Sequence, residues 1–372
     1  MKLLTIEPYP NYHFRSIVSL LNRQKIAVEQ VIFEEVPNFR KGDEWESSAK
    51  VSGLFSSIKA LFKCDAPLFL GVYSPMPKMP ILFTLACLFK RQVFVASEGM
   101  QNPVRKSKVL QSYFSLLSKI SNITFLCIGK DANQDYYELG FKSSQFRKFG
   151  FSEQYQPYSI SEFTEGLSKY DDDNFRILLV GRLIPLKNFS EVIKACHNIA
   201  GKGETKRKIV IDIAGEGELL GELKELANGR DDVICNFHGH VKQSYLAELY
   251  KKAHLFVLPS LNEGWGVVVN NAIHYGLPCL CLDSVRSAEG FLVNNYENGR
   301  VIEKSALETT LADLLHLNND EMRTMAEASY ARAQLWSTEN IATELSGMLL
   351  ENKKAPIDGP ISLYPVQEKI DV

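Results

Sequence analysis

The chain has no long hydrophobic run. Its longest apolar stretch, Pro80 to Phe89, is bounded by Lys78, Lys90 and Arg91 and falls far short of the roughly 20 residues a membrane span needs. It has no paired cysteines either. The seven thiols (Cys64, Cys87, Cys127, Cys196, Cys235, Cys279 and Cys281) are odd in number, none at C-x-x-C spacing. Most lie in apolar runs, and Cys279 and Cys281, alternating on one strand face, have no histidine at metal-ligand spacing. Buried, reduced packing residues are the reading. Charge of one sign is also missing: a formal net charge of −2 argues against a dedicated nucleic-acid binder. No signal-peptide pattern is visible, so a cytoplasmic protein is expected.

At 372 residues two domains are expected. The charge is divided between the halves. Residues 1–150 hold 20 Lys and Arg against 12 Asp and Glu, and the remainder holds 22 against 32. The basic half suits an anionic membrane surface or a phosphorylated acceptor; ordinary fluctuation in surface charge is an equal alternative. In that half, strands at 2–6, 28–34, 67–73, 92–96 and 123–128 alternate with helices at 13–23, 51–62, 79–89, 109–120 and 132–139, the pattern of a doubly wound parallel sheet. Ligands in such sheets bind beyond the carboxyl ends of the strands, which singles out residues 7–13, Tyr73-Ser74 and Ser97-Glu98-Gly99. His13 and Glu98 are therefore acceptor-side candidates, although capping or surface roles fit both at least as well. The helix over 109–120, preceded by Arg105, Lys106 and Lys108, has a membrane surface as its second use after packing on its own sheet.

Residues 150–174 read as an inter-domain linker. Asp171-Asp172-Asp173 matches a metal-holding D-x-D superficially, but it precedes a strand instead of following one. From Phe175 the pattern resumes, and its loops carry chemistry. A strand to Val180 opens into Gly181-Arg182-Leu183-Ile184-Pro185-Leu186-Lys187-Asn188 ahead of a helix. Arg182 offers a planar fork for phosphate oxygens and Lys187 a point charge, beside the positive end of a helix. Gly215-Glu216-Gly217 follows the next strand, and Gly239-His240-Val241 the one after. His238 and His240 share a strand face without a third metal ligand. The stretch 255–282 then reads strand, loop, helix, strand, with Glu263-Gly264-Trp265-Gly266 at the helix start. There a carboxylate can accept bonds from sugar hydroxyls and backbone N–H groups can face an anion.

The segments VGRLIPLKN (180–188), IAGEGE (213–218), FHGHV (237–241) and LPSLNEGWGVVVNNAIHYGLPCL (258–280) resemble the family-4 retaining glycosyltransferases of the GT-B fold, in order and spacing, over about residues 175–345. Over residues 1–150 only the strand–helix order agrees. The resemblance implies two Rossmann-like doubly wound α/β domains facing a central cleft: residues 1–152 on the acceptor side, 170–335 binding a nucleotide-sugar, 336–352 as a terminal helix returning to the first domain, and 353–372 as a tail. It implies that Arg182 and Lys187 hold the diphosphate and that Glu263 contacts the donor sugar. Gly181, Gly215, Glu216, Gly217, His240, Val241, Gly264, Trp265, Gly266 and Val267 would line the donor pocket. Position 271, usually a second glutamate that binds ribose hydroxyls, is Asn271 here. The first domain departs from the family: Pro8-Tyr9-Pro10-Asn11 stands where a Gly-rich loop is usual.

The expected function is transfer of a hexose-type unit, with retention, from a UDP- or GDP-linked donor. The acceptor would be a saccharide or polyprenyl-linked saccharide, the setting surface polysaccharide assembly. Neither metal nor cofactor is expected, and peripheral contact with the inner face of a membrane is a further expectation. The rival, prompted by Asn271 and the unusual first-domain loops, is a non-catalytic relative that binds carbohydrate or stabilises a partner transferase.

Overall fold

The computed structural model describes residues 1–8, 12–33, 52–71, 78–90, 92–99, 107–152, 158–205, 207–351 and 355–364. Residues 9–11 of the first expected loop, and Tyr73-Ser74, lie outside these residues. The chain divides into two compact units, Met1–Glu153 with Ser337–Val372, and Gln154–Trp336.

The first unit alternates β1 (Lys2–Glu7), α1 (Tyr12–Arg23), β2 (Ala27–Ile32), α2 (Leu54–Lys63), β3 (Ala66–Leu70), α3 (Lys78–Phe89), β4 (Val93–Ser97), α4 (Lys108–Ile120), β5 (Ile123–Ile128), α5 (Gln134–Glu138) and β6 (Phe146–Phe149). The sheet order is β2-β1-β3-β4-β5-β6, and every pair is parallel, with Leu3 beside both Val28 and Ala66. The strands β3 and β4 are buried throughout, as a parallel sheet covered on both faces requires. Each Leu, Ile, Val or Phe so buried contributes about 1.5–3 kcal/mol. The strand β6 escaped the sequence reading because Arg147 and Lys148 interrupt its apolar pattern; only Phe146 and Phe149 face inward.

The second unit contains α6 (Ile160–Gly166), β7 (Asn174–Val180), α7 (Phe189–Gly201), β8 (Lys208–Ala214), α8 (Leu220–Ala227), β9 (Val233–Gly239), α9 (Gln243–Lys252), β10 (Leu255–Leu258), α10 (Val267–His274), β11 (Cys279–Leu282), β12 (Gly299–Ile302), α11 (Leu307–His316) and α12 (Asn319–Leu335). Its parallel sheet runs β12-β11-β10-β7-β8-β9. The core joins Ile177, Leu179, Ile211, Ile213 and Val257 of the strands to Val192, Ile193, Leu311 and Met322 of the helices. Six of the seven cysteines are buried and all are free; burial pushes the Cys281 thiol up to about 12.

Two expectations are corrected. The linker reading fails over 158–171. There α6 is capped reciprocally by Ser159 and Glu162, and Phe163 stacks on Tyr330 with ring centroids 4.4 Å apart. One capping box and one buried aromatic suffice to bind a polar-looking segment to the core. The tail reading fails over 359–364. Along the edge strand β6, Ile361 N–H donates to Lys148 O at 2.7 Å, Lys148 N–H donates to Ser362 O at 2.8 Å, and Tyr364 N–H donates to Phe146 O at 3.1 Å. The Tyr364 hydroxyl donates to Gly129 O at 2.8 Å. The segment covers an edge that would otherwise be open. The last helix, α13 (Thr338–Glu351), packs on α1 in the first unit, where Gln24 Nε2 donates to Thr343 Oγ1 at 3.2 Å.

Candidate active site in the second unit

Backbone hydrogen bonds knit the loops at the carboxyl ends of the strands into one rim. Gly181 N–H donates to Ala214 O at 3.0 Å, Leu183 N–H to Glu216 O at 2.8 Å, and Gly215 N–H to Gly239 O at 2.9 Å. Leu261 N–H reaches Leu186 O at 2.9 Å, and Glu263 N–H reaches Ser284 O at 3.2 Å. The loops after β7, β8, β9, β10 and β11 are thus held by their neighbours before any ligand arrives, and such preorganisation spares a ligand the cost of ordering them.

This lacing explains the Gly-x-Gly spacing. A Cβ on Gly215 would lie 1.8 Å from Gly181 O, and one on Gly217 would lie 2.3 Å from Leu183 O. The family resemblance implied that these glycines line the donor pocket. What approaches them is the backbone of the preceding loop, and Glu216 between them accepts the His240 N–H at 3.2 Å. His240 is itself exposed, and Val241 half-buried.

Lys187 and Glu263 are brought together from the loops that follow the neighbouring strands β7 and β10. Their side chains form an ion pair in which each is less than one-fifth exposed. The Lys187 stem lies against Gly181, its Cε 3.4 Å from where a Cβ there would sit. Gly266, left-handed at φ 72° at the start of α10, would clash at 2.9 Å with Glu263 Cγ if it carried a Cβ. Glycine at 266 therefore lets the carboxylate fold back over the helix start. Gly264 and Val267 flank this point and are half-buried. Arg182 is exposed and has no ion pair with a described residue.

Trp265 does something the sequence reading did not anticipate. Its side chain is buried, its Nε1–H donates to Asn270 Oδ1 at 2.7 Å, and its ring meets Phe291 edge-on at 5.6 Å and Trp336 at 5.9 Å. It anchors the loop to the core of the second unit. Asn271, on the next turn of α10, has Oδ1 sealed from solvent without a partner. The same holds for Asn188 Nδ2 and Ser260 Oγ, both on rim loops and neither assigned a role from sequence. The available signal for Asn188 was an Asn directly before a helix, the residue type that tolerates its left-handed φ of 58°.

The remaining candidates lie elsewhere. His238 is fixed by Asp212 Oδ1 at 2.9 Å and Tyr245 at 3.2 Å. Asp212 also accepts from Arg176 at 3.1 Å and Asn236 at 3.0 Å, a satisfied polar cluster. Asp171 pairs with Arg323 at 2.5 Å, at the amino end of β7. No group of three or more metal-ligating side chains occurs among the described residues. In the first unit Glu98 is exposed just beyond β4, and His13 lies in the first turn of α1 with its side chain outside the described set.

Comparison with known proteins matches this architecture. Residues 162–332 match the family described as Glycosyl transferases group 1. An uncharacterized glycosyltransferase of Haemophilus influenzae is 29% identical over 180 residues, 48% of this chain and 49% of that protein. The O-antigen chain mannosyltransferase B of Escherichia coli is 28% identical over 204 residues, 53% of this chain and 51% of its own. The chain spans about half the length of these curated relatives. The crystal structure of Anabaena Alr3699/HepE in complex with UDP superposes with a TM-score of 0.64 at 14% identity, covering 94% of this chain and 100% of that one. At that identity the likeness speaks for fold alone. The fold is GT-B in class.

Proposed function

We propose that the protein is a retaining glycosyltransferase that takes a sugar from a nucleotide-sugar and passes it to a saccharide or polyprenyl-linked saccharide, in surface polysaccharide assembly. One observation carries this reading: Lys187 and Glu263 meet on a prelaced rim, beside exposed Arg182 and the starts of α7 and α10. A diphosphate needs cations and helix N-termini; a sugar needs a nearby carboxylate acceptor. Each member of the pair is the other's counter-ion until a donor arrives. Diphosphate oxygens then compete for Lys187, and release of Glu263 frees its oxygens for sugar hydroxyls. The expected donor is UDP- or GDP-linked, and that HepE was crystallised with UDP supports the UDP-linked choice.

In this mechanism Arg182, Lys187 and the backbone dipoles stabilise negative charge as it grows on the departing diphosphate. The acceptor hydroxyl attacks from the face the diphosphate leaves, and a donor phosphate oxygen takes its proton. No side-chain nucleophile, metal or cofactor is invoked. Glu98 and His13 remain the acceptor-side candidates, and the protein works at the cytoplasmic side of a membrane. The test is nucleotide release from a panel of UDP-, GDP- and dTDP-sugars by the parent protein, Lys187→Ala and Glu263→Ala. Release from at least one donor, reduced about a hundredfold or more in both variants, is expected. A parent protein that neither binds nor consumes any of them is instead the non-catalytic relative.

A further inference from the structure

The first unit carries an apolar face that its own core does not use. Along α2, Phe55, Lys59 and Phe62 fall on one side, and both phenylalanines point outward, Phe55 at 88% exposure. The helix α3 has no charged residue from Met79 to Phe89. A helix apolar all round is normally buried, yet here Ile81, Leu88 and Phe89 are exposed. Along α4, Val109, Leu116 and Ile120 are likewise exposed, Val109 at 79%.

These faces adjoin. The helix α3 packs against α2 on one side and α4 on the other. The exposed rings of Phe62 and Phe89 touch across the first seam with centroids 5.7 Å apart, and Thr84 bonds the Tyr113 hydroxyl across the second at 2.7 Å. Single exposed apolar residues are ordinary; eight on three adjoining helices mark an interaction site.

The charges around the face select its occupant. None of the three helices contains Asp or Glu, and Lys59, Lys63, Lys108 and Lys119 are all exposed on them. Over residues 54–130 there are ten Lys and Arg against two acids, Asp65 and Glu98, so the basic excess of the first half is concentrated here. Phenylalanines and leucines ringed by lysines, with no acid, complement an anionic lipid surface: the rings enter the headgroup boundary and the lysines meet the phosphates. A second copy of the chain would set lysine against lysine. Among the described residues no helix is long and apolar enough to cross a membrane, so the contact is with the surface. We infer that the outer face of α2, α3 and α4 docks this protein on anionic bilayers. This deepens the proposed use of a polyprenyl-linked acceptor and rests on that reading for its purpose only.

The test is flotation with vesicles of phosphatidylcholine alone or with about one-third phosphatidylglycerol. The parent is expected to float with anionic vesicles, to remain behind with neutral ones, and to be released by high salt. The triple variants Phe55→Ser/Phe62→Ser/Phe89→Ser and Lys59→Glu/Lys63→Glu/Lys119→Glu should each bind at least about tenfold more weakly. All six positions are exposed, so thermal unfolding should stay parental, and Lys224→Glu on the second unit is the control. Absence of parental flotation, equal binding to both vesicles, or undiminished binding by the lysine variant overturns the inference. So does concentration-dependent dimerisation that the phenylalanine variant abolishes while flotation persists. Flotation is read without donor or acceptor, so it stands or falls separately from turnover.

Discussion

Arg182 and Lys187 arrive in the same loop but meet different fates: Lys187 is mostly buried against Glu263, and Arg182 projects without an ion pair among the described residues. Removing Arg182 therefore leaves no buried charge unpaired, whereas removing Lys187 strands Glu263. Asn271 calls for a separate prediction. An amide or a carboxylate can each bond a ribose hydroxyl. Asn271→Glu should keep nucleotide affinity within about tenfold, roughly 1.4 kcal/mol; titration calorimetry showing complete loss would contradict this. His254 makes a pH prediction. Its Nδ1 accepts the Arg176 N–H at 3.0 Å, so its Nε2–H donates to Lys169 O at 2.7 Å. Burial lowers the imidazole to about 4, so the unfolded chain, titrating near 6.5, takes up the proton first. The stability linked to His254 is intact above about 6.5 and falls as pH drops toward about 4, by on the order of 3 kcal/mol in all. Denaturant titrations at about pH 7.5 and pH 5 should show this loss in the parent, and a smaller one in His254→Gln.

The alternation of strands and helices was legible because parallel strands buried on both faces appear as short apolar runs, as in Leu255–Leu258 and Cys279–Leu282. The pairing of Lys187 with Glu263 was legible only as two candidate residues 76 positions apart; topology brings them together. What escaped were contacts that pattern cannot encode: the ring of Trp265 turned onto Trp336, the strand β6 with its two adjacent cations, and the segment 359–364 closing an edge. The role of Gly215 and Gly217 was half legible. The need for glycine showed, but what pressed against it did not. Gly215→Ala should therefore act on the rim itself. A Cβ 1.8 Å from Gly181 O forces the loop after β7 to move, and about 1–3 kcal/mol of stability should be lost, with weaker nucleotide binding. Urea unfolding and calorimetry on the same preparation check both; parental values in each would show that the loops do not need this approach.

Across the molecule, chemistry is divided between the units. The second carries the prelaced rim with Arg182, Lys187 and Glu263, and most of the acidic residues; the first carries the basic excess and the exposed apolar face. The proposed transfer to a lipid-linked acceptor would use both, the rim to hold the donor and the apolar face to meet the bilayer. The donor site is the central claim, and Arg182 gives its most direct test, because it is exposed and holds no ion pair among the described residues. Titration calorimetry of UDP and GDP into the parent and into Arg182→Ala should show binding of at least one nucleotide by the parent. In the variant that binding should be about tenfold or more weaker, the worth of one charge-assisted contact to a diphosphate, with unfolding unchanged. Equal affinity in parent and variant, or no binding of either nucleotide by the parent, would contradict the account.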